Sequence, residues 1–276
     1  MRSLLVAATI VLAASAAFAQ STSPEKGTPV STVTPEIVKA FAPTGKLRAA
    51  INQGNSVLVQ KQADGSEPKG ITIMLAKELG KRLDVPVELV LFNAAGEVFA
   101  ALKEGKWDIA FLAIEPVRAA EIDFTAPYVI IEGAYMVAKD SPLQTPADVD
   151  KNGIRIAVGK GSAYDLYLTR TIKNAEIVRA STGGGRASID LFLNDKLEVA
   201  AGVRQPIAEY AKTNPNVRVM PQRFMAIEQA MGMPKGRAAA VPYLKSFVEE
   251  MKASGFAANA LKVTNQPDAQ VAPPAN

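Results

Sequence analysis

Short apolar runs of strand type alternate along most of this chain with stretches of helical period, and that alternation constrains the fold more than any other feature. The runs are LRAAIN (47–52), VELVLF (87–92), IAFLA (109–113), AYMVAK (134–139), RIAVGK (155–160), EIVRAS (176–181), VAAGV (199–203) and VRVM (217–220). Helical patterns lie between most of them. In residues 71–83, Ile71, Leu75 and Leu79 recur every four positions, while Lys77, Glu78, Lys81 and Arg82 take the wet side. Residues 96–103, 162–173, 187–195, 206–212 and 238–252 read in the same way. Strand, helix, strand in succession predicts an α/β fold with mostly parallel sheets covered by helices on both faces. No close internal repeat accompanies the alternation.

The ends of the chain differ from this middle. Residues 1–19 carry one basic residue, Arg2, then an apolar run from Leu4 to about Ala14, and end Ala17-Phe18-Ala19 before Gln20. That order is the pattern of a secretory signal peptide cleaved after Ala19. The apolar run is shorter than the ~20 residues of a bilayer span, and no later stretch approaches that length, so the mature chain is expected to be exported and without a membrane span. Residues 20–44 begin with QSTSPEKGTPVSTVT, which has almost nothing to bury, and read as a flexible spacer followed by a short helix. Residues 263–276, with their QPDAQVAPPAN ending, read as a flexible tail.

Composition removes several kinds of chemistry. The 276 residues include neither cysteine nor histidine, so thiol and Ser-His nucleophiles, disulfides, and zinc or haem sites on their usual ligands are excluded. No cofactor or metal is expected. An exported chain without disulfides has to rely on core burial, which about 250 residues can supply. The net charge of +4 is spread, with no segment packing five or six Lys and Arg together, so nothing points to a nucleic-acid partner.

Open α/β sheets hold ligands at the carboxyl ends of their strands, in the loops leading into helices. The residues there are Asn52, Gln53, Gly54 and Asn55 after the first run, and Asn93 to Gly96 after the second. Ile114, Glu115, Pro116 and Arg118 follow the third, Gly161 and Ser162 follow RIAVGK, Thr182 and three glycines follow EIVRAS, and Arg204 follows VAAGV. Amides, helix N-termini and two arginines suit a small anionic or zwitterionic ligand. The triple glycine lacks the Gly-Lys-Ser/Thr of a phosphate loop and reads as a permissive turn. Trp107 reads as a packing residue rather than a stacking platform; Tyr128 and Tyr135 could face either a cleft or a packed hinge.

The segment GKWDIAFLAIEPVRAAEIDFTAPY, residues 105–128, resembles the family 3 extracellular solute-binding proteins, the polar amino-acid receptors of ABC importers. KGITIMLAKELGKRLDVPVELV (69–90), RIAVGKGSAYDLYL (155–168) and QAMGMPKG (229–236) are similar to further parts of that family, and the likeness covers roughly residues 45–262. It implies two Rossmann-like α/β lobes of the type II periplasmic-binding fold, joined by two hinge crossovers that close on a ligand. Residues 45–132 plus 228–262 would form the first lobe and 133–227 the second. By the same resemblance Arg118 grips the ligand's carboxylate, for which a planar guanidinium fork is well suited, and Ser162 donates to it from the second lobe.

Three departures from the family pattern stand out. The span from Asp108 to Arg118 is about two residues short, Glu115 stands where the family has a threonine donor, and the family's ammonium-binding aspartate would fall near Val203 or Arg204. A cleft with Arg118 on one lobe and Arg204 on the other would favour a ligand with two acidic groups; Glu115 could instead supply the missing negative charge. The expectation is therefore a periplasmic, non-enzymatic, monomeric receptor that binds an amino acid or related small carboxylate, dicarboxylates included, and hands it to a membrane permease. The alternatives are a dehydratase of the cyclohexadienyl type on the same fold, with Glu115 as general acid, and a soluble sensory module.

Overall fold

The computed structural model describes residues 32–181 and 184–275. The signal-peptide reading and most of the spacer lie outside the described residues. In chain order the elements are α1 (Pro35–Phe41), β1 (Leu47–Asn52), α2 (Ile71–Leu83), β2 (Val87–Phe92), α3 (Ala95–Ala100), β3 (Ile109–Ala113), α4 (Pro116–Ala119) and β4 (Ile122–Ala138). There follow β5 (Arg155–Gly159), α5 (Ala163–Thr171), β6 (Glu176–Ala180), α6 (Ala187–Asn194), β7 (Val199–Val203) and α7 (Arg204–Thr213). The chain then forms β8 (Val217–Val219), β9 (Met225–Pro234), α8 (Val241–Ala253), α9 (Phe256–Val263) and β10 (Gln270–Val271).

Two parallel sets of strands flank a long antiparallel pair. β1 pairs in parallel with β2 and β3, and β5 pairs in parallel with β6 and β7. Between the sets run β4 and β9, so the order is β2-β1-β3-β9-β4-β7-β5-β6. β3 pairs with β9 as far as Gln229, and β7 pairs with β4 from Gly133 onward. From Tyr128 to Glu132 on β4 the two parallel sets therefore share no ladder, and β4 and β9 carry the connection alone. This is an α/β arrangement of two lobes joined by two crossover strands, as the alternation and the resemblance imply.

Burial follows the strand period. Ala49 and Ile51 of β1 face the large core that contains Ile71, Leu75 and Leu79 of α2, while Ala50 faces the opposite core with Val98 and Trp107. Helix α2 stops where Asp84 enters the left-handed region at φ 53° and its N–H returns to Gly80 O. Trp107 is packed as expected, with Nε1 donating to Val98 O at 2.8 Å. Tyr128 and Tyr135 are both core residues, the former edge-on to Phe111 and the latter stacked on Phe224 at 4.2 Å between centroids.

Two stretches differ from the sequence reading. β4 begins at Ile122 rather than near Ala134, because its register against β9 shifts twice around Pro127 and the irregularity lets a proline sit inside a long strand. The tail read as flexible is docked: Val271 pairs with Val129, the Ala272 N–H donates to Tyr128 O at 3.1 Å, and Lys252 Nζ donates to Pro273 O at 2.8 Å. Its small residues Ala269 and Ala272 are buried, so a composition with little to bury still covers an edge of the crossover strand.

Candidate functional site

Six strand ends converge on one cavity between the lobes, of about 70 Å³, several times the ~10–15 Å³ that a single water requires. The loop after β1 brings Asn52 and Asn55, that after β2 Ala94 and Ala95, and α4 brings Arg118. From the second lobe come Ser162 at the start of α5, Gly184 and Gly185 after β6, and Val203 with Pro206 around the start of α7. Parallel strands on both sides aim their carboxyl ends at the same space, which is why residues so far apart in sequence meet there.

Arg118 dominates the site electrostatically. It is 1% exposed, because the four-residue α4 turns back beneath the end of β3. Nη1 donates to Ala113 O at 3.0 Å and Nη2 donates across the cleft to Gly161 O at 2.9 Å. Nε is buried without a hydrogen-bond partner. Burial pushes this guanidinium down to about 10, with the nearby Glu115 opposing the shift, so the group remains a cation at neutral pH. No carboxylate among the described residues hydrogen-bonds to it. A buried cation held only by two carbonyls is costly unless an anion completes it.

The other expected residues divide. Asn52, Asn55 and Ser162 line the cavity. Ser162 is also the cap of α5, its Oγ accepting from the Asp165 N–H at 3.0 Å; this uses a lone pair and not the hydroxyl proton. Gly161 does not line the cavity but supplies the carbonyl that holds Arg118, and its φ of 71° is one that glycine tolerates. Asn93 is not a lining residue; its N–H donates to Glu97 Oε2 at 2.9 Å. Thr182 lies outside the described residues.

Two expectations need correction. Arg204 is not a second anion clamp: Nε donates to Glu132 Oε2 at 2.6 Å, and the two Nη groups donate to Met220 O and Pro221 O, both at 3.1 Å. With all its nitrogens engaged it does not line the cavity. Glu115 likewise does not face the ligand space. It is 2% exposed and forms an ion pair with Arg170 of α5 in the opposite lobe. It therefore bridges the lobes beside the site instead of supplying charge to its interior.

The walls of the cavity carry no local sequence signal. Phe111, Tyr164, Ile227 and Gln229 line the cavity, and Phe111, Ile227 and Gln229 lie within strands, where no local signal separates a wall from a core position. Glycines also set how closely the lobes meet. A Cβ on Gly185 would come 2.6 Å from Gly54 O, and one on Gly161 would come 2.8 Å from Gly96 Cα, so backbone meets backbone across the cleft at both places.

Residues 47–262 match the model of the bacterial extracellular solute-binding proteins, family 3. The chain belongs to that family. Among relatives of this solute-binding protein is the L-cystine-binding protein TcyJ of Escherichia coli strain K12, 23% identical over 234 residues, 79% of this chain and 85% of the relative. The solved solute receptors for L-cysteine of Neisseria gonorrhoeae superpose with a TM-score of 0.71 at 23% identity, covering 84% of this chain and 94% of theirs. An ancestral amino-acid-binding protein, a precursor of cyclohexadienyl dehydratase, gives 0.67 at 22% identity over 82% of this chain and 98% of its own. Both structures share the fold of this solute-binding protein. Among the described residues no helix is long and apolar enough to cross a membrane, and no cluster of acidic side chains could hold a metal ion.

Proposed function

We propose that the chain is the periplasmic substrate-binding receptor of an ABC importer, which captures a small carboxylate or amino acid between its lobes and presents the closed form to a membrane permease. The observation that carries this reading is Arg118, a buried cation on the cavity wall with an unpartnered Nε. A ligand carboxylate would give that nitrogen an acceptor, with Ser162 and the amides of Asn52 and Asn55 placed to add donors. Residues 45–132 plus 228–262 and residues 133–227 would move as two bodies about the crossover strands, and the signal peptide would direct export. The relatives named for cystine and cysteine support an amino-acid or related carboxylate ligand.

The dehydratase alternative requires Glu115 as an acid facing substrate. Glu115 is instead paired with Arg170 away from the cavity wall, which favours the receptor. The test is a thermal-shift screen of the purified protein against amino acids and short organic acids. A ligand that binds only the folded state at a hundred times its Kd should add about 2.7 kcal/mol of stability; a panel with no stabilising carboxylate would count against the receptor.

Closure itself has a separate test. Gly185 is not in the left-handed region, so alanine there meets no local backbone strain, and the obstruction is the opposing carbonyl of Gly54. Gly185→Ala is expected to leave the ligand-free melting temperature within about 2 °C of the parent while weakening ligand binding about tenfold or more, equivalent to roughly 1.4 kcal/mol. Calorimetric titration reads the affinity. Unchanged affinity would mean that the Gly54 contact plays no part in capture.

A further inference from the structure

Resting on the receptor reading, we propose that this cleft selects small carboxylates that lack an ammonium group, so that a hydroxy or keto acid is bound in preference to the corresponding amino acid. The ground is the charge and hydrogen-bond polarity of the wall. Its charged members among the described residues are Arg118 and Lys160, and it contains no Asp or Glu. In the sequence, positions 182 and 183 are Thr and Gly, neither of them acidic.

Several acids close to lining residues are committed elsewhere, among them Glu97, which accepts from the Asn93 N–H at 2.9 Å. Glu115 is paired with Arg170. Asp165 is buried, accepts from the Gly161 N–H at 2.8 Å and from Arg179 Nε at 2.9 Å, and is not a lining residue. Glu132 is taken by Arg204 and Arg223. An ammonium entering this space would find no carboxylate on the wall among the described residues and would approach a buried guanidinium of like sign, a combination that is expensive in a dehydrated site.

The amides point the same way. Asn52 Oδ1 accepts from the Gly54 N–H at 3.0 Å and Asn55 Oδ1 accepts from the Val57 N–H at 3.2 Å. With their oxygens engaged by the local backbone, the groups these two lining side chains have left for a ligand are their NH2 donors. Ser162 adds a hydroxyl, and Arg118 adds Nε. Gln229 brings an amide oxygen to the wall and Tyr164 a hydroxyl, but neither carries the negative charge that balances an ammonium; the donors and the two cations complement a carboxylate whose α-substituent is a hydroxyl or keto oxygen.

The experiment titrates the full mature protein with matched pairs that differ only at the α-substituent: L-lactate with L-alanine, α-hydroxyisovalerate with L-valine, and phenyllactate with L-phenylalanine. Within whichever pair binds most tightly, the hydroxy acid is expected to bind at least tenfold more tightly than the amino acid. A smaller ratio, or the reverse order, overturns the proposal while leaving the receptor reading intact. If no pair binds, an amino acid that binds more tightly than every ammonium-free acid overturns the proposal and the reverse order supports it; absence of binding by every member of the pairs, by the remaining amino acids and by the remaining short organic acids overturns the receptor reading as well.

A second variant tests the cause. Val203 lines the cavity, so Val203→Asp places a carboxylate in a wall that has none. It is expected to shift the preference toward the amino acid by at least tenfold, read as the ratio of the two affinities in the same preparation. A ratio equal to that of the parent would overturn the electrostatic account.

Discussion

Arg118→Met is expected to abolish ligand binding, weakening it by at least about a hundredfold, while leaving the ligand-free protein as stable as the parent or more so. The two effects have opposite signs because the residue is costly in isolation and favourable once a carboxylate arrives. Charge-assisted hydrogen bonds contribute roughly 1.5–3 kcal/mol each, so losing two of them to a ligand carboxylate removes about 3 kcal/mol or more, a hundredfold at 1.4 kcal/mol per tenfold. The folded state, by contrast, gives up a fully buried guanidinium whose charge is balanced only by carbonyls and by the proximity of Glu115. Replacing such a group with an apolar side chain of similar length is often neutral or stabilising. Isothermal titration with any ligand from the screen and a thermal scan without ligand read the two quantities independently. Retained binding within threefold of the parent would remove Arg118 from the site, and a large fall in melting temperature would show that its two carbonyl contacts matter more to folding than its charge costs. Arg118→Lys should not rescue binding fully, because a compact ammonium cannot reproduce the planar fork that reaches Ala113 O and Gly161 O together.

What was legible in the sequence and what was not divides along the distance over which the deciding interaction acts. The strands IAFLA and VAAGV could be read because every residue needed to identify them is adjacent, and both occupy the expected ranges. From these strands together with LRAAIN and RIAVGK, the strand-end rule leads to Asn52, Asn55, Arg118 and Ser162, all of which line the cavity. Glu115 and Arg204 were placed with the same rule and do not line it, because their partners are remote: Arg170 is 55 residues from Glu115, and Glu132 is 72 residues from Arg204. No local pattern reports a pairing across that separation. The docked tail was missed for a related reason. A segment of Gln, Ala, Pro and Asp buries little by itself, and the edge of β4 that accepts Val271 is formed by chain some 140 residues earlier.

The largest effect on stability is expected at Asp108, the aspartate of the GKWD segment, which is fully buried and accepts from two arginines. Arg48 donates to it through its backbone N–H, Nε and Nη2 at 2.9–3.0 Å, and Arg237 adds an ion pair at 3.0 Å. The aspartate thus ties the start of β3 to the start of β1 and to the loop before α8, whose Arg237 also donates to Ala40 O near the end of α1. The second lobe repeats the device: Arg155 at the start of β5 donates its backbone N–H, Nε and Nη2 to Glu198, the residue just before β7. The repetition is structural and escapes a sequence comparison, since an aspartate in one lobe is a glutamate in the other. Burial separates the two pairs, because the Asp108 side chain is 0% exposed and that of Glu198 is 32% exposed. Removing one partner of a buried pair costs about 3–5 kcal/mol, whereas exposed pairs are worth about 1 kcal/mol or less. Asp108→Ala should therefore lower the melting temperature by about 6–20 °C and Glu198→Ala by no more than a few degrees, at roughly 2–4 °C per kcal/mol for a protein of this size. Both variants should bind ligand normally at temperatures where they are folded, since neither residue reaches the cavity wall. Equal losses from the two substitutions would mean that water reaches Asp108 far more freely than its burial implies.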